Sequence, residues 1–367
     1  MKIGIYSDIH ISRNSSIIPL YLNDKQQYTT RLNMCYDSMI WTYTMFKNNN
    51  VDMIVNCGDT FNSHIVTSDE VTTFTNIINE LYKPYKECDF PTVKDITLLG
   101  NHDKFNNTFN SMNLTKLTDY TQLVDKYLYL SLKNCDLYFI SYYELDEFIE
   151  NMLKMLNDYP KQHEKSILFM HGDINGSQLT GNKRIENHIG TDFLTKYFDI
   201  VINGHIHCHE RIYNQNNKQI YNIGSLTTHS FADSNKHYGG CYILDTDTFE
   251  IKFFKNPYQI LFRTYDIKSD DDEINLHDTL NNDKDLNVIL KIKCDYNRKE
   301  SINRILNDFK NILKHKYIFT YENNIKSNVN ITDNVSASND IKDEFITFLN
   351  NRTDLKGDIS DYADIIK

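Results

Sequence analysis

The sequence predicts an α/β fold of layered β-strands flanked by helices, a β-sandwich with helical covers, followed by a small α+β unit. Three observations carry this expectation. Residues 1–260 alternate strand-like apolar runs with stretches of helical periodicity. Polar residues recur directly after those runs, where the binding sites of open α/β sheets lie. The chain has 367 residues, 40% of them hydrophobic, which is enough to bury one large core and a smaller one.

Taken in order, Lys2–Ser7 reads as a short strand, and Tyr28–Lys47 as a helix with Leu32, Cys35, Tyr36, Met39, Ile40, Tyr43 and Phe46 on its apolar stripe. Val51–Asn56 is a buried strand, Ser68–Tyr82 a helix and Asp95–Leu99 a strand. Asp136–Tyr142 and Ser166–Met170 are strands around an amphipathic helix at Leu145–Leu156. Asp199–Asn203 is another strand, and Gln219–Ile223 and Tyr238–Asp245 continue as antiparallel strands. Composition shifts after Pro257. Residues 266–285 are rich in acid and read as a solvated loop region, while Asn287–Cys294, Lys299–Lys314 and Lys316–Tyr321 form a β-α-β pattern. The expected division is therefore a main domain over 1–260, a small unit over 261–322, a polar linker over 323–339 and a helical segment over 340–367. Phe345, Phe348 and Leu349 give that last segment an apolar face, which either packs back on its own domain or docks on a partner.

No apolar run approaches the roughly 20 residues that span a bilayer, so no membrane role is expected. Seven cysteines without a C-x-x-C pair, and no leader pattern before the first strand, point to reduced thiols in a cytoplasmic protein. A net charge of −11 argues against coating nucleic acid by bulk charge. It does not exclude an enzyme whose positive charge is local or supplied by metal.

Five motifs stand at strand ends: Asp8-Ile9-His10, Gly58-Asp59, Gly100-Asn101-His102-Asp103, His171-Gly172-Asp173 and Gly204-His205-Ile206-His207. Carboxylate, imidazole and amide together suit Mn²⁺, Fe or Zn²⁺, whereas an all-oxygen set would favour Mg²⁺ or Ca²⁺. His205 and His207 are two residues apart and share a face. One carboxylate, Asp59, can bridge two ions roughly 3.5–4 Å apart, as phosphoesterase chemistry requires.

This order of motifs resembles the calcineurin-like metallophosphoesterase superfamily, and within it the SbcD-type DNA repair and recombination nucleases related to the Mre complex, small phage-encoded versions included. The resemblance covers residues 1–260. It implies that Asp8, His10 and His207 hold one divalent ion, that Asn101, His171 and His205 hold the second, and that Asp59 is shared. Mn²⁺ is the ion it implies. His102 matches the histidine that contacts the scissile phosphate and assists the leaving oxygen. The small unit is similar in position to that family's capping domain. An SbcC-like coiled-coil ATPase bound through 340–367, a homodimer, and DNA as substrate are further implications, with Lys104, Lys183 and Arg184 as candidate phosphate contacts. Asn62 departs from the family's usual histidine three residues after the bridging aspartate, which weakens any orienting of His102 from that side chain; His64 is a possible substitute. The segment Asn222–Thr227 reads either as an ordinary turn or as the family's Gly-Ser loop. A phosphatase or small phosphodiesterase of the same superfamily is the alternative enzyme, although Thr60-Phe61-Asn62-Ser63 replaces the Val-Asp-Arg-Gly of protein phosphatases. A non-catalytic scaffold on the same fold is the alternative outside enzymes.

Overall fold

The computed structural model describes residues 1–13, 30–86, 94–106, 110–114, 121–178, 183–231, 238–283, 287–294 and 296–309. In chain order these form β1 (Lys2–Tyr6), α1 (Thr30–Asn48), β2 (Met53–Asn56), α2 (Ser68–Lys86), β3 (Lys94–Leu98), β4 (Thr121–Val124), β5 (Tyr127–Ser131), β6 (Asp136–Ile140), α3 (Leu145–Asp158) and β7 (Ser166–Met170). The chain continues through α4 (Thr191–Tyr197), β8 (Ile200–Asn203), β9 (Glu210–Gln215), β10 (Lys218–Asn222), β11 (Gly240–Asp245), β12 (Ile251–Lys255), β13 (Ile260–Ile267), α5 (Asp270–Asn282), β14 (Asn287–Cys294) and α6 (Lys299–Phe309). No described helix is long and apolar enough to cross a membrane.

Two six-stranded sheets carry the architecture, in the orders β12-β11-β1-β2-β3-β4 and β5-β6-β7-β8-β10-β9. Side-chain alternation sorts the residues of each strand between two cores. Ile3 and Ile5 of β1, Val55 of β2 and Leu98 of β3 join Phe139, Phe169 and Ile202 in the core between the sheets. Tyr6 and Ile54 point the other way, onto Leu32, Met39 and Phe46 of α1 and Phe74 and Ile77 of α2. Tyr138, Leu168 and Val201 cover the outer face of the second sheet beneath Phe148, Met152 and Met155 of α3 and Leu194 of α4. Each fully buried side chain of this size contributes about 1.5–3 kcal/mol. At Gly4 the fit is tight enough that a Cβ would lie 2.8 Å from the Phe46 ring.

The arrangement that matters for chemistry is at the carboxyl ends. β1, β2 and β3 run parallel as neighbours in one sheet, and β7 and β8 run parallel as neighbours in the other. All five motifs follow one of these central strands, so the face-to-face sheets bring them together.

A third, two-stranded sheet pairs β13 with β14 in parallel, from Ile260↔Asn287 to Ile267↔Cys294. With α5 and α6 it has its own core of Leu261, Leu276, Leu280, Leu290 and Ile302, while Phe262 and Ile289 face the α1–α2 core. A buried Arg263–Asp283 ion pair, 3.0 Å, ties β13 to the end of α5, and the Tyr238 hydroxyl donates to the same carboxylate at 3.1 Å.

One expectation is corrected. Residues 266–283 are not a loop. Asp270, Asp271, Asp272 and Glu273 occupy the first turn of α5, where they complement the helix N-terminus, and Ser269 and Asp272 form a capping box. Leu276 and Leu280, four apart, then bury one face. Gln219–Ile223 and Tyr238–Asp245 are strands with antiparallel partners in different sheets: β10 pairs antiparallel with β9 and parallel with β8, and β11 pairs antiparallel with β1 and β12. The expected strand at 316–321, the linker at 323–339 and the segment at 340–367 lie outside the described residues, as does the end of the helix expected over 299–314.

Candidate metal centre

Four of the seven proposed ligands sit in left-handed backbone: Asp8 at φ 52°, His10 at 48°, Asp59 at 53° and His205 at 70°. Such residues persist only where their surroundings fix them, and the hydrogen bonds that do so are identifiable. The Asp8 N–H donates to the Gly58 carbonyl at 2.9 Å and that of His10 to the Asp59 carbonyl at 3.1 Å. Asp8 Oδ2 in turn accepts the His205 N–H at 3.0 Å, linking the two sheets. Behind this turn, Arg31 Nη2 donates to the carbonyls of Ile9 at 3.1 Å and His10 at 3.2 Å. His229 Nε2 donates to the Asp8 carbonyl at 2.9 Å, and its Nδ1 accepts from Arg31 at 2.7 Å. His229 lies near His10 and His207, but both of its nitrogens are engaged in this brace.

Asp103 plays the same part for the next two loops. Its buried carboxylate accepts the N–H groups of Thr60 at 3.2 Å, Phe61 at 3.0 Å and Gly100 at 3.1 Å, drawing the Asp59 and Asn101 loops together. Burial and then the Asp59 charge push Asp103 up to about 7 against the pull of those donors. Gly100 and Gly204 allow close approach, since a Cβ on Gly100 would run into the Asp59 carboxylate and one on Gly204 would lie 2.6 Å from the Cys57 carbonyl oxygen. The Gly224-Ser225 turn braces the same region: Ser225 N–H donates to the His207 carbonyl at 3.0 Å and Leu226 N–H to that of Ser7 at 2.8 Å.

Within this frame all seven expected ligands converge. Asp59 Oδ1 accepts the His102 N–H at 2.9 Å, which leaves Oδ2 3.5 Å from both His10 Nε2 and His171 Nε2. On one side, His10 Nε2 and His207 Nε2 are 3.1 Å apart, with Asp8 Oδ1 3.8 and 3.9 Å away. On the other, Asn101 Oδ1 lies 3.1 Å from His171 Nε2 and 2.9 Å from His205 Nδ1. His171 Nδ1 donates to the Cys57 carbonyl at 2.7 Å, which turns Nε2 inward.

The donor set fits two cations. Asp8 Oδ1 is buried without a hydrogen-bond partner, whereas most buried polar groups of folded proteins are paired. Burial lowers His171, yet the Asp59 carboxylate raises it more, to about 9, so the nitrogen cluster attracts positive charge. Burial likewise raises Asp59, but the His171 charge and hydrogen bond outweigh it and hold the carboxyl well below its ordinary range. Burial drives His10 the other way, toward the neutral form a metal ligand needs. Mixed nitrogen and oxygen donors suit a transition ion rather than Mg²⁺ or Ca²⁺.

His102 is exposed at the mouth, its ring centroid 4.7 Å from that of His10. Its Nδ1 donates to the Asn62 main-chain carbonyl at 2.8 Å. Position 62 therefore orients His102 through backbone, and the asparagine side chain is not what the contact depends on. His64 packs instead against Phe105, with ring centroids 5.0 Å apart and planes tilted by 44°.

The candidate phosphate contacts fare unequally. Lys104 turns inward, donating to the Tyr142 carbonyl at 2.6 Å and lying 4.0 Å over the Tyr143 ring; burial lowers its ammonium to about 8. In this structure its ammonium is engaged with its own fold. Arg184 donates to the Gly176 carbonyl and pairs with Glu210 at 3.0 Å, so it too is engaged. Lys183 is exposed. Sequence reasoning gave no part to Arg31, His229 or the Asp103 carboxylate, and passed over Asp173. Of these, only Asp103 and Asp173 carried a signal, their place inside the motifs.

Among solved structures, a dimetal phosphatase from Danio rerio is similar at 12% identity and a TM-score of 0.40, covering 70% of this chain and 99% of its own. A search of curated proteins finds no match. The calcineurin-like phosphoesterase profile matches residues 1–209, more than half of the 367, and the chain belongs to that family.

Proposed function

We propose that the chain is a two-ion DNA nuclease that hydrolyses phosphodiester bonds at DNA ends or hairpins in repair or recombination. The observation that carries hydrolysis of a phosphate ester is the exposed His102, oriented by the Asn62 carbonyl and hydrogen-bonded through its N–H to the central Asp59. Asp8, His10 and His207 would hold one ion, Asn101, His171 and His205 the other, and Asp59 both. Bound there, Mn²⁺ ions would neutralise the phosphate oxygens and lower the pKa of the attacking water.

The remaining work belongs to the chain. The Asn62 carbonyl fixes Nδ1–H of His102, so the protonated ring presents Nε2–H outward, to the leaving oxygen, as a general acid. Arg31 and His229 hold the Asp8–His10 turn rigid, and Asp103 fixes Asp59 relative to Asn101, so the polar groups are oriented before substrate arrives. The choice of DNA rests on the resemblance of the five motifs to SbcD-type nucleases. A net charge of −11 fits a subunit whose DNA is held by a partner, here an SbcC-like coiled-coil ATPase bound through 340–367. A homodimer in the cytoplasm completes the reading.

Linear duplex DNA, a phosphate diester and a phosphate monoester, each with Mn²⁺ and with and without the ATPase, test this. DNA and diester should be cleaved, with Asp59→Ala inactive and His102→Ala slower by about 10²–10⁴-fold. Turnover of monoester with DNA untouched under every condition would replace the nuclease reading with a phosphatase.

A further inference from the structure

We infer that Asp173 is the positioning residue that decides which nitrogen of His205 faces the second ion pocket, a role that rests on the two-ion reading of the site. An imidazole used as a ligand must offer a lone pair from one nitrogen, and the hydrogen bond made by the other nitrogen selects it. Two histidines of this site have that choice made by main chain. His171 spends Nδ1–H on the Cys57 carbonyl at 2.7 Å and turns Nε2 inward. His102 spends Nδ1–H on the Asn62 carbonyl at 2.8 Å and turns Nε2 outward.

His205 has the opposite polarity. Its Nε2 lies 3.1 Å from Asp173 Oδ1, while its Nδ1 lies 2.9 Å from Asn101 Oδ1, on the pocket side. Both neighbouring oxygens accept, but the carboxylate carries a full negative charge and the amide oxygen only a partial one, so in the neutral ring the proton sits on Nε2 and Nδ1 carries the lone pair. The strained backbone of His205, at φ 70°, delivers the ring in this direction. Asp173 follows His171 by two residues on the loop after β7, so the loop that contributes one ligand of the second pocket also orients another. Its remaining oxygen is 3.9 Å from His188 Nδ1, and Asp173, His188, Tyr142 and Glu144 line a small cleft beside the pocket. A side chain there can be changed without entering the hydrophobic core. The first pocket meets His205 through its main-chain N–H, which donates to Asp8 Oδ2 at 3.0 Å whichever ring nitrogen is protonated, so the effect should fall on one of the two ions.

The test uses the full-length, metal-free chain with Asp173→Leu, which removes the acceptor at similar size, and Asp173→Asn, which keeps one. Long-range ¹H–¹⁵N correlation of the histidine rings reads the tautomer directly, His205 being assigned by the signal lost in His205→Gln. The wild type and Asp173→Asn should show the Nε2–H form, and Asp173→Leu should lose it. Calorimetric titration with MnCl₂ should then give two steps in the wild type. One of them should weaken by about 10- to 100-fold in Asp173→Leu and by no more than about threefold in Asp173→Asn, the other being unchanged in both. An Nε2–H tautomer kept in Asp173→Leu, both steps at wild-type affinity in that variant, or an Asp173→Asn as impaired as Asp173→Leu would each overturn the inference. Should the wild type take up no Mn²⁺, the two-ion reading falls, and the tautomer measurement still decides the positioning role.

Discussion

Replacing Asp103 should unfasten the site from the inside. Its carboxylate accepts from three buried main-chain donors, at Thr60, Phe61 and Gly100. In Asp103→Ala each donor loses its partner. At about 1–2 kcal/mol apiece, with water entering beside the smaller side chain, the three losses sum to about 3–6 kcal/mol. Asp103→Asn keeps one acceptor oxygen but turns an amide toward donors, and should cost about 1–3 kcal/mol. Urea unfolding at pH 7 measures both, with Mn²⁺ titration alongside, because the residues released flank Asp59 and Asn101. Both ion affinities should fall with the stability. A loss under about 1 kcal/mol for Asp103→Ala with unchanged ion binding would refute the idea that this carboxylate holds the two loops together.

Two further outcomes follow from the same reasoning. Gly100→Ala places a Cβ 2.7 Å from Asp59 Cγ, a clash expected to cost about 1–3 kcal/mol and to weaken Mn²⁺ uptake without altering circular dichroism; wild-type titration curves would contradict it. Asp136 is one acid-sensitive point of the fold. Burial raises it, but hydrogen bonds from His163, Tyr129 and the Gln162 and His163 main chain outweigh that and hold its carboxyl below the ordinary range. A depressed carboxylate stabilises the fold above its unfolded pKa of about 3.9 and loses that contribution as pH falls through the folded value. Asp136→Asn should therefore be less stable than wild type by about 1–3 kcal/mol at pH 7, with the gap between their urea midpoints closing toward pH 3; a gap independent of pH would count against it.

The central strands were legible in the sequence and the edges were not. β1, β2, β3, β6, β7 and β8 are apolar on both faces because each sheet is covered on both sides, and their ends match the expected spans within two residues. Within the two large sheets the strands that escaped notice, β4, β5, β9 and β12, are the outer ones. Glu210–Gln215 and Ile251–Lys255 are partly exposed and interleaved with charge, so they lack a buried run or a clean period of two. β13 escaped for another reason, since Arg263, Thr264 and Asp266 interrupt its apolar pattern although Arg263 is buried against Asp283. The residues that converge at the candidate site were readable because each motif pairs a turn with side chains able to bind metal. Arg31 and His229 were not, because their work is done on main-chain carbonyls that no sequence pattern marks.

The left-handed backbone at Asp8, His10, Asp59 and His205 has a consequence for how this centre can change. Outside glycine, asparagine, aspartate and histidine are the residues that enter that conformation most readily. Three of the side chains that tolerate the turn are thus also side chains that bind transition ions, and glycine, which tolerates it best, binds nothing. Exchange toward glutamate or cysteine at these four positions meets a backbone penalty before any question of metal preference arises. His171, His207 and Asn101 are free of that penalty, so drift in ion selectivity has an easier path through them.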